Sequence, residues 1–312
     1  MVPALVLTAG LATRLRPLSL VRAKAALPVA GAPLVHRILR WLAAGGITDA
    51  VLNLHHLPHT LTRVVGDGRS LGVRVRYSWE VPVLGSAGGP RRAVPLLGAT
   101  FLIVNGDTLT NLDLGALVAD HRRSGALVTM AVVPNTEPDK YSGLSAGNDG
   151  ALTGFAKRGA PDNAFHFIGV QVANAAVFDS VPPNVPFGTS TLYTSLIASR
   201  PGSIRVFTAA AEFFDIGTPA DYLDTSLRIA DREGDRDWQF ARARVDPSAR
   251  VERSVLWDDV VVEAGAMLRE CVVTDGVRVP ADTSWHGVTM RVASGELVPG
   301  ERRIEDLAIA SL

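Results

Sequence analysis

The stretch L-T-A-G-L-A-T-R-L-R-P-L-S-L-V-R-A-K, residues 7–24, gathers residue types suited to a polyphosphate. Ala9, Gly10 and Ala12 are small enough for backbone N–H groups to approach an anion. Thr13 adds a hydroxyl donor, and Arg14 and Lys24 add positive charge. The makeup is that of a triphosphate cradle. It is not a P-loop, because the G-x-x-x-x-G-K-[ST] spacing is absent, and it lacks the three glycines of a dinucleotide fingerprint. A second candidate closes the hydrophobic run F-L-I-V-N-G-D at Asn105, Gly106 and Asp107. Ligands of open α/β sheets collect beyond the carboxyl ends of the strands, so a carboxylate there is well placed to hold a divalent ion. Mg²⁺ takes one or two protein carboxylates and completes its octahedron with phosphate oxygens and water, which makes Asp107 the first metal ligand.

Positioning these groups requires a sheet that brings strand ends together. Short β-rich runs at Ala4–Thr8, Ala50–Leu54, Val73–Ser78 and Thr100–Val104 alternate with helical patterns such as Pro33 to Ala44, which Gly45-Gly46 terminates. That alternation predicts right-handed βαβ crossovers. Strand-like runs at Leu127–Val133, Ser142–Ala146 and Phe165–Ala173 extend the sheet, and Thr189 to Ser199 and Thr218 to Ala230 read as helices. Thr218 is placed as an N-cap with Pro219 at the first helical position, and Asp113 is read as a cap or turn residue. The predicted fold is therefore α/β, a Rossmann-like mixed, mainly parallel sheet with helices on both faces, filling residues 1–234. After the charged stretch D-R-E-G-D-R-D the chain falls into a six-residue rhythm of aliphatic and small residues, as in V-D-P-S-A-R and V-E-R-S-V-L. This rhythm predicts a short left-handed β-helix over residues 245–312, with about two coils of ~18 residues before Pro280 and a falter near Cys271.

The segment A-G-L-A-T-R-L-R-P, followed by a lysine ten residues after the arginine, resembles the signature of the sugar-1-phosphate nucleotidyltransferases, G-x-G-T-R-L-x-P…P-K. Ala12 stands for the second glycine and Ala23 for the proline before Lys24. L-G-S-A-G, with Gly85, Ser86, Ala87 and Gly88, resembles that family's L-G-T-A-G loop beside the nucleobase. F-F-D-I-G-T-P resembles the aromatic-x-D-I-G-T-P segment, whose aspartate is the family's second metal ligand, here Asp215. The resemblance implies that Leu7, Ala9, Gly10, Leu11, Ala12, Thr13 and Arg14 join Gly85–Gly88 around the nucleotide. It implies catalytic roles for Arg14, Lys24, Asp107 and Asp215, with Mg²⁺ on the two aspartates. Around the sugar phosphate it implies Asn105; Gly143, in the turn Lys140, Tyr141, Ser142; Lys157, in G-F-A-K-R; and Gly169, in F-H-F-I-G-V. Ala156 replaces a frequent sugar-binding glutamate, Arg158 replaces a proline, and the asparagine usual before Gly169 is absent. V-N-G-D and F-H-F-I-G-V are similar to guanylyl- and uridylyltransferases acting on mannose-, heptose- or muramic-acid-type phosphates, and the hexads to members with a C-terminal β-helix. The resemblance favours GTP with a mannose-like sugar, the alternative being uridylyl or thymidylyl transfer to another sugar-1-phosphate.

Bulk properties limit the alternatives. Lys plus Arg and Asp plus Glu number 31 each, so no basic footprint advertises a nucleic-acid polymer. No run approaches the ~20 apolar residues of a membrane span, and the start lacks a basic, signal-like region. The lone Cys271 permits no internal disulfide and reads as a small buried hydrophobe. The seven histidines lack a metal-site spacing. The expectation is a cytoplasmic homo-oligomer, a dimer, that takes a nucleoside triphosphate and a sugar-1-phosphate. Two alternatives belong to other classes: a catalytically silent subunit that binds a nucleotide sugar, motivated by Ala12, Ala23 and Ala156, and an acyltransferase built on the β-helix.

Overall fold

A computed structural model describes residues 2–139, 141–234 and 242–312. Lys140 and the end of the charged stretch at 235–237 lie outside the described residues. The chain divides into two compact units, one of Met1–Gly10, Val35–Pro58 and Val65–Phe214, the other of Leu11–Leu34, His59–Val64 and Asp215–Leu312.

The first unit is built on a nine-stranded mixed sheet. Its main path runs Leu152–Ala156, Gly143–Ala146, Phe165–Asn174, Thr100–Asn105, Ala4–Leu7, Asp49–Leu54, Arg74–Trp79. The last four strands are mutually parallel, and Phe165–Asn174 joins them antiparallel. Val128–Pro134 pairs with Phe165–Asn174, and Ile204–Thr208 runs parallel to Val128–Pro134. From Ala4–Leu7 the sheet grows outward through two strands and then returns to the opposite side of the first. This reversal opens a switch point between the carboxyl ends of Ala4–Leu7 and Thr100–Asn105. Both strands are almost wholly buried and aliphatic, as strands covered on both faces must be. Beneath them Leu5, Val51, Phe101, Ile103, Val128, Phe178 and Tyr193 form a continuous core, with the Phe101 and Phe178 rings stacked at 5.9 Å. Each such side chain contributes about 1.5–3 kcal/mol on burial. Helix Leu114–Ser124 starts where Asp113 accepts a bond from the Ala116 N–H at 3.0 Å.

In the second unit the hexad rhythm becomes three stacked faces of parallel strands. These are Arg244–Val245 with Val261–Val262 and Arg278–Val279, Arg250–Glu252 with Met267–Arg269 and Ser284–His286, and Val255–Leu256 with Val272–Val273 and Val288–Val292. Each face thus has three rungs, two full coils preceding Arg278–Val279 and a third running on past Pro280. Equivalent residues are 17 apart, as in the 2.9 Å bond from the Cys271 N–H to Ser254 Oγ, so each coil is one residue short of three hexads. The shortened coil explains the falter near Cys271. That residue is fully buried, and burial pushes its thiol pKa up.

The corners follow the same spacing: Arg253, Glu270 and Gly287, then Asp259 and Gly276, then Gly265 and Asp282, all have positive φ. Glycine and aspartate tolerate that region best and hold five of these seven corners, Arg253 and Glu270 being the exceptions. Inside lie Leu256, Val262, Leu268, Val273, Val279 and Met290. The stack is finished by an antiparallel hairpin, Arg302–Ile304 and Leu307–Ser311, laid on Val288–Val292. Helix Pro219–Glu233 begins with a full capping box, in which Thr218 Oγ1 accepts from the Asp221 N–H at 3.2 Å and Asp221 Oδ2 accepts from the Thr218 N–H at 2.9 Å. Among the described residues no helix is long and apolar enough to cross a membrane.

Candidate active site

At the switch point the backbone register sets Leu7 against Asn105. The Gly106 N–H donates to the Leu7 carbonyl at 3.0 Å, and a Cβ on Gly106 would lie 2.5 Å from that carbonyl oxygen. Only glycine lets the two strand ends approach so closely. Asp107, half-buried, therefore leaves the sheet beside the Thr8–Gly10 turn. Gly169, with φ +79, sits in the irregularity that shifts the register between Phe167 and Gln171. A Cβ there would strike Thr108 Oγ1 and lie 3.1 Å from Asn105 Cβ. The fold thus brings together Leu7, Asn105, Gly106 and Gly169, with Ala9, Gly10 and Asp107 following within three residues along the chain.

Two residues that the sequence reading passed over hold this arrangement. Asn53 Oδ1 accepts from the N–H groups of Thr8 at 2.6 Å and Ala9 at 3.3 Å, and its Nδ2 donates to Glu80 Oε1 at 2.7 Å. Glu80 Oε2 accepts from the Leu84 N–H at 2.8 Å, at the start of helix Gly85–Ala93. One buried chain of hydrogen bonds therefore fixes the turn after the first strand relative to the second small-residue loop. Gly89 closes it, since a Cβ there would lie 2.6 Å from Glu80 Oε1. The Ala9 amide is committed to Asn53. Gly10 has open space where a side chain would be, which leaves room for a ligand. The signal available in the sequence was a lone polar residue inside the apolar run A-V-L-N-L.

In the second loop, smallness serves chain packing directly. A Cβ on Gly85 would lie 2.9 Å from the Phe187 carbonyl oxygen, and one on Gly88 2.9 Å from that of Val185. The Ala87 N–H donates to Phe187 O at 2.9 Å, and Ser86 Oγ accepts from the Thr189 N–H at 2.9 Å. Gly143 and Lys157 lie at the far edge of the sheet, where Gly143 pairs with Ala156 just before the exposed Lys157. A Cβ on Gly143 would strike Asn163 Oδ1, so this glycine also makes room for protein. Nearby, the rings of Tyr141 and His166 lie 4.5 Å apart and those of His166 and Phe213 4.7 Å apart.

The second unit holds Leu11, Ala12, Thr13, Arg14, Lys24 and Asp215. Leu11, Thr13 and Arg14 are exposed in and before a single 3-10 turn, Thr13–Leu15. A Cβ on Gly217 would sit 3.5 Å from Asp215 Oδ2 and 3.7 Å from Arg14 Nη1, so these two groups face a common spot that glycine keeps open. Lys24 begins another 3-10 turn, Lys24–Ala26. The Ala23 N–H, which a proline would lack, donates to Thr60 Oγ1 at 3.1 Å.

A negative φ would have made alanine a mild replacement for glycine at position 12, but Ala12 has φ +46 and ψ +47. That conformation costs a non-glycine residue about 1–2 kcal/mol, and glycine returns about 0.5–1 kcal/mol of it as lost chain entropy. Ala12→Gly is therefore expected to raise stability by up to about 1 kcal/mol in urea denaturation. A decrease would mean that the methyl group makes a contact worth more than the strain.

Residues 3–232 match the family described as Nucleotidyl transferase, and residues 235–288 match the one described as GlmU-like, C-terminal hexapeptide. The chain belongs to the nucleotidyl transferase family. It is 30% identical over 294 residues to a mannose-1-phosphate guanylyltransferase of Mycobacterium tuberculosis, covering 90% of this chain and 82% of that protein. It is 27% identical over 300 residues to a UTP–glucose-1-phosphate uridylyltransferase of Synechocystis, covering 88% and 76%. The structure of HddC from Yersinia pseudotuberculosis complexed with GMP-PN shares the fold, with a TM-score of 0.64 at 21% identity over 73% of this chain and 100% of that one. These relatives group the chain, with its C-terminal β-helix, among the sugar-1-phosphate nucleotidyltransferases.

Proposed function

We propose that this enzyme joins GTP to a mannose-like hexose-1-phosphate, giving a nucleotide sugar and pyrophosphate. The observation that carries the reading is the pair of strand ends at the switch point, where Gly106, the residue before Asp107, packs against Leu7 and Thr8. The choice of GTP and a mannose-like sugar rests on the relative at 30% identity.

In the reaction an oxygen of the sugar phosphate attacks the α-phosphorus in line. A new P–O bond forms as the bond to the β-phosphate oxygen breaks, and pyrophosphate leaves with that electron pair. A phosphate monoester is already anionic near neutral pH, so no general base is needed. Catalysis then reduces to positioning and charge neutralisation. Arg14 holds the β- and γ-phosphates, and Lys24 stabilises charge at the reacting phosphorus. Backbone amides from Gly10 to Thr13 and the Gly85–Gly88 loop receive the nucleotide, while Asn105, Gly143, Lys157 and Gly169 receive the sugar phosphate. Asp107 and Asp215 offer the hard oxygen donors that Mg²⁺ prefers, each beside a glycine whose Cβ would crowd its surroundings. Mg²⁺ held by them would offset phosphate charge.

The same reading assigns residues 1–234 to catalysis and 245–312 to the β-helix. It takes the enzyme as a homodimer and as cytoplasmic, and the single buried cysteine fits the reducing compartment of the second assignment. A uridylyl relative at 27% identity motivates the second reading, UTP with a glucose-like phosphate. A panel of triphosphates crossed with hexose-1-phosphates, followed by pyrophosphate release, decides between them. GTP with mannose-1-phosphate is expected to give the highest kcat/KM. Faster turnover with UTP transfers the assignment to the second reading, and no release with any pair leaves a silent binding subunit.

A further inference from the structure

Arg22 precedes Lys24 by two residues, and its side chain is only 12% exposed. Its Nε donates to Asp275 Oδ2 at 2.7 Å, while its Nη2 donates to Asp275 Oδ1 at 2.5 Å and to Asp258 Oδ2 at 2.7 Å. Asp258 and Asp275 occupy equivalent places on two successive coils of the β-helix, and the Asp258 N–H itself donates to Asp275 Oδ1 at 3.2 Å. The guanidinium also lies 5.3 Å from the ring centroid of Trp257, the residue before Asp258. A two-pronged carboxylate contact, a third charged bond and an aromatic face are the strongest holds that a cation of this shape can have.

Trp257 fixes the other end of the same segment. Fully buried, it donates from Nε1 to the Tyr222 hydroxyl at 2.9 Å, and that hydroxyl donates to the Pro28 carbonyl. The 3-10 turn Lys24–Ala26 is therefore held on both sides, at Arg22 and at Pro28, by side chains that converge on one tryptophan of the β-helix. Between the two holds the Ala23 N–H is tied to Thr60 Oγ1. Few backbone torsions remain free to move the base of the Lys24 side chain.

We propose that Arg22 is a positioning residue for Lys24, and that the paired aspartates of the β-helix, Asp258 and Asp275, hold it in place, so that the C-terminal domain takes part in phosphate transfer. This rests on the reading of Lys24 given above. Asp275→Asn keeps the shape and weakens the two-pronged contact, Arg22→Ala removes it, and Arg22→Lys keeps the charge without the fork.

The test combines steady-state kinetics with hydrogen exchange on the full-length chain. A displaced catalytic cation lowers kcat by about tenfold in Arg22→Ala and Asp275→Asn, with KM for the triphosphate changed by less than about threefold and part of the loss recovered in Arg22→Lys. Exchange at the amides of 23–27 rises about tenfold in the same variants, while the coil amides Val261–Val262 and Arg278–Val279 keep their protection. A kcat within twofold of the parent, or exchange at 23–27 unchanged from the parent, overturns the proposal. A loss accompanied by exchange rising through all the coils also overturns it, because the contact is then only a fold-stabilising one. Should the parent chain release no pyrophosphate with any substrate pair, the functional reading fails by that result, and the exchange measurement still decides whether the aspartates set the conformation of the Lys24 turn.

Discussion

Lys24→Ala is expected to lower pyrophosphate release by about 10²–10³-fold, the scale of losing one fixed charge or donor aimed at a transition state. The reason lies in when the charge is needed. On the proposed function both substrates are polyanions met by several groups, so one cation would contribute modestly to affinity. At the reacting phosphorus, charge shifts toward the leaving pyrophosphate, and a cation held in place stabilises that state more than it does the ground state. The loss therefore falls on kcat more than on KM. Asp107→Ala should lose a similar factor. Asp107→Asn, which keeps the shape, should need more Mg²⁺ to reach half its maximal rate, because a neutral amide is a poorer ligand than a carboxylate. The urea midpoint is expected to stay close to that of the parent, as neither side chain is buried in a core. Activity within threefold of the parent in both alanine variants would remove these residues from the mechanism.

The strands that carry this site were readable because burial on both faces leaves a plain aliphatic run. A-L-V-L and T-F-L-I-V-N gave Ala4–Leu7 and Thr100–Asn105 within a residue at each end. Ile204–Thr208 was not found, since I-R-V-F-T is a short alternating run after a Pro-Gly pair, with little to separate it from a loop. The hexads announced the β-helix through their corners, yet the 17-residue coil could not be counted from a rhythm of six. The closing hairpin, R-R-I and L-A-I-A-S, has no repeat to mark it. The place of a residue with candidate chemistry was legible where a strand end fixes it, as with Asp107 just past a buried strand. What positions that chemistry was not. Asn53 and Glu80 act through hydrogen bonds 45 and 27 residues apart in the chain, and Arg22 finds its partners 236 and 253 positions away. No local pattern encodes such separations. Ala12 illustrates the same limit, because its left-handed backbone cannot be inferred from an alanine.

Glu301→Ala is expected to destabilise the C-terminal unit by about 3–5 kcal/mol, the cost of breaking a buried ion pair by removing one partner. The Arg291 and Glu301 side chains are 3% and 0% exposed, and the guanidinium meets the carboxylate twice, Nε to Oε1 at 2.7 Å and Nη2 to Oε2 at 2.6 Å. Without the carboxylate a positive charge stays behind in the interior, and the Val298 N–H loses its acceptor at 2.8 Å. The loop that follows depends on the same arginine, whose remaining N–H groups reach the carbonyls of Val292, Ser294 and Glu296. Replacing both charged residues by apolar ones, Arg291→Met with Glu301→Leu, leaves no stranded charge and should recover most of the loss. The loop carbonyls belong to exposed residues and can turn to water. The closing strand Leu307–Ser311 should then retain its protection from hydrogen exchange in the double variant and lose it in Glu301→Ala. Equal loss in the two variants would mean that the loop bonds, rather than the ion pair, hold the end of the β-helix.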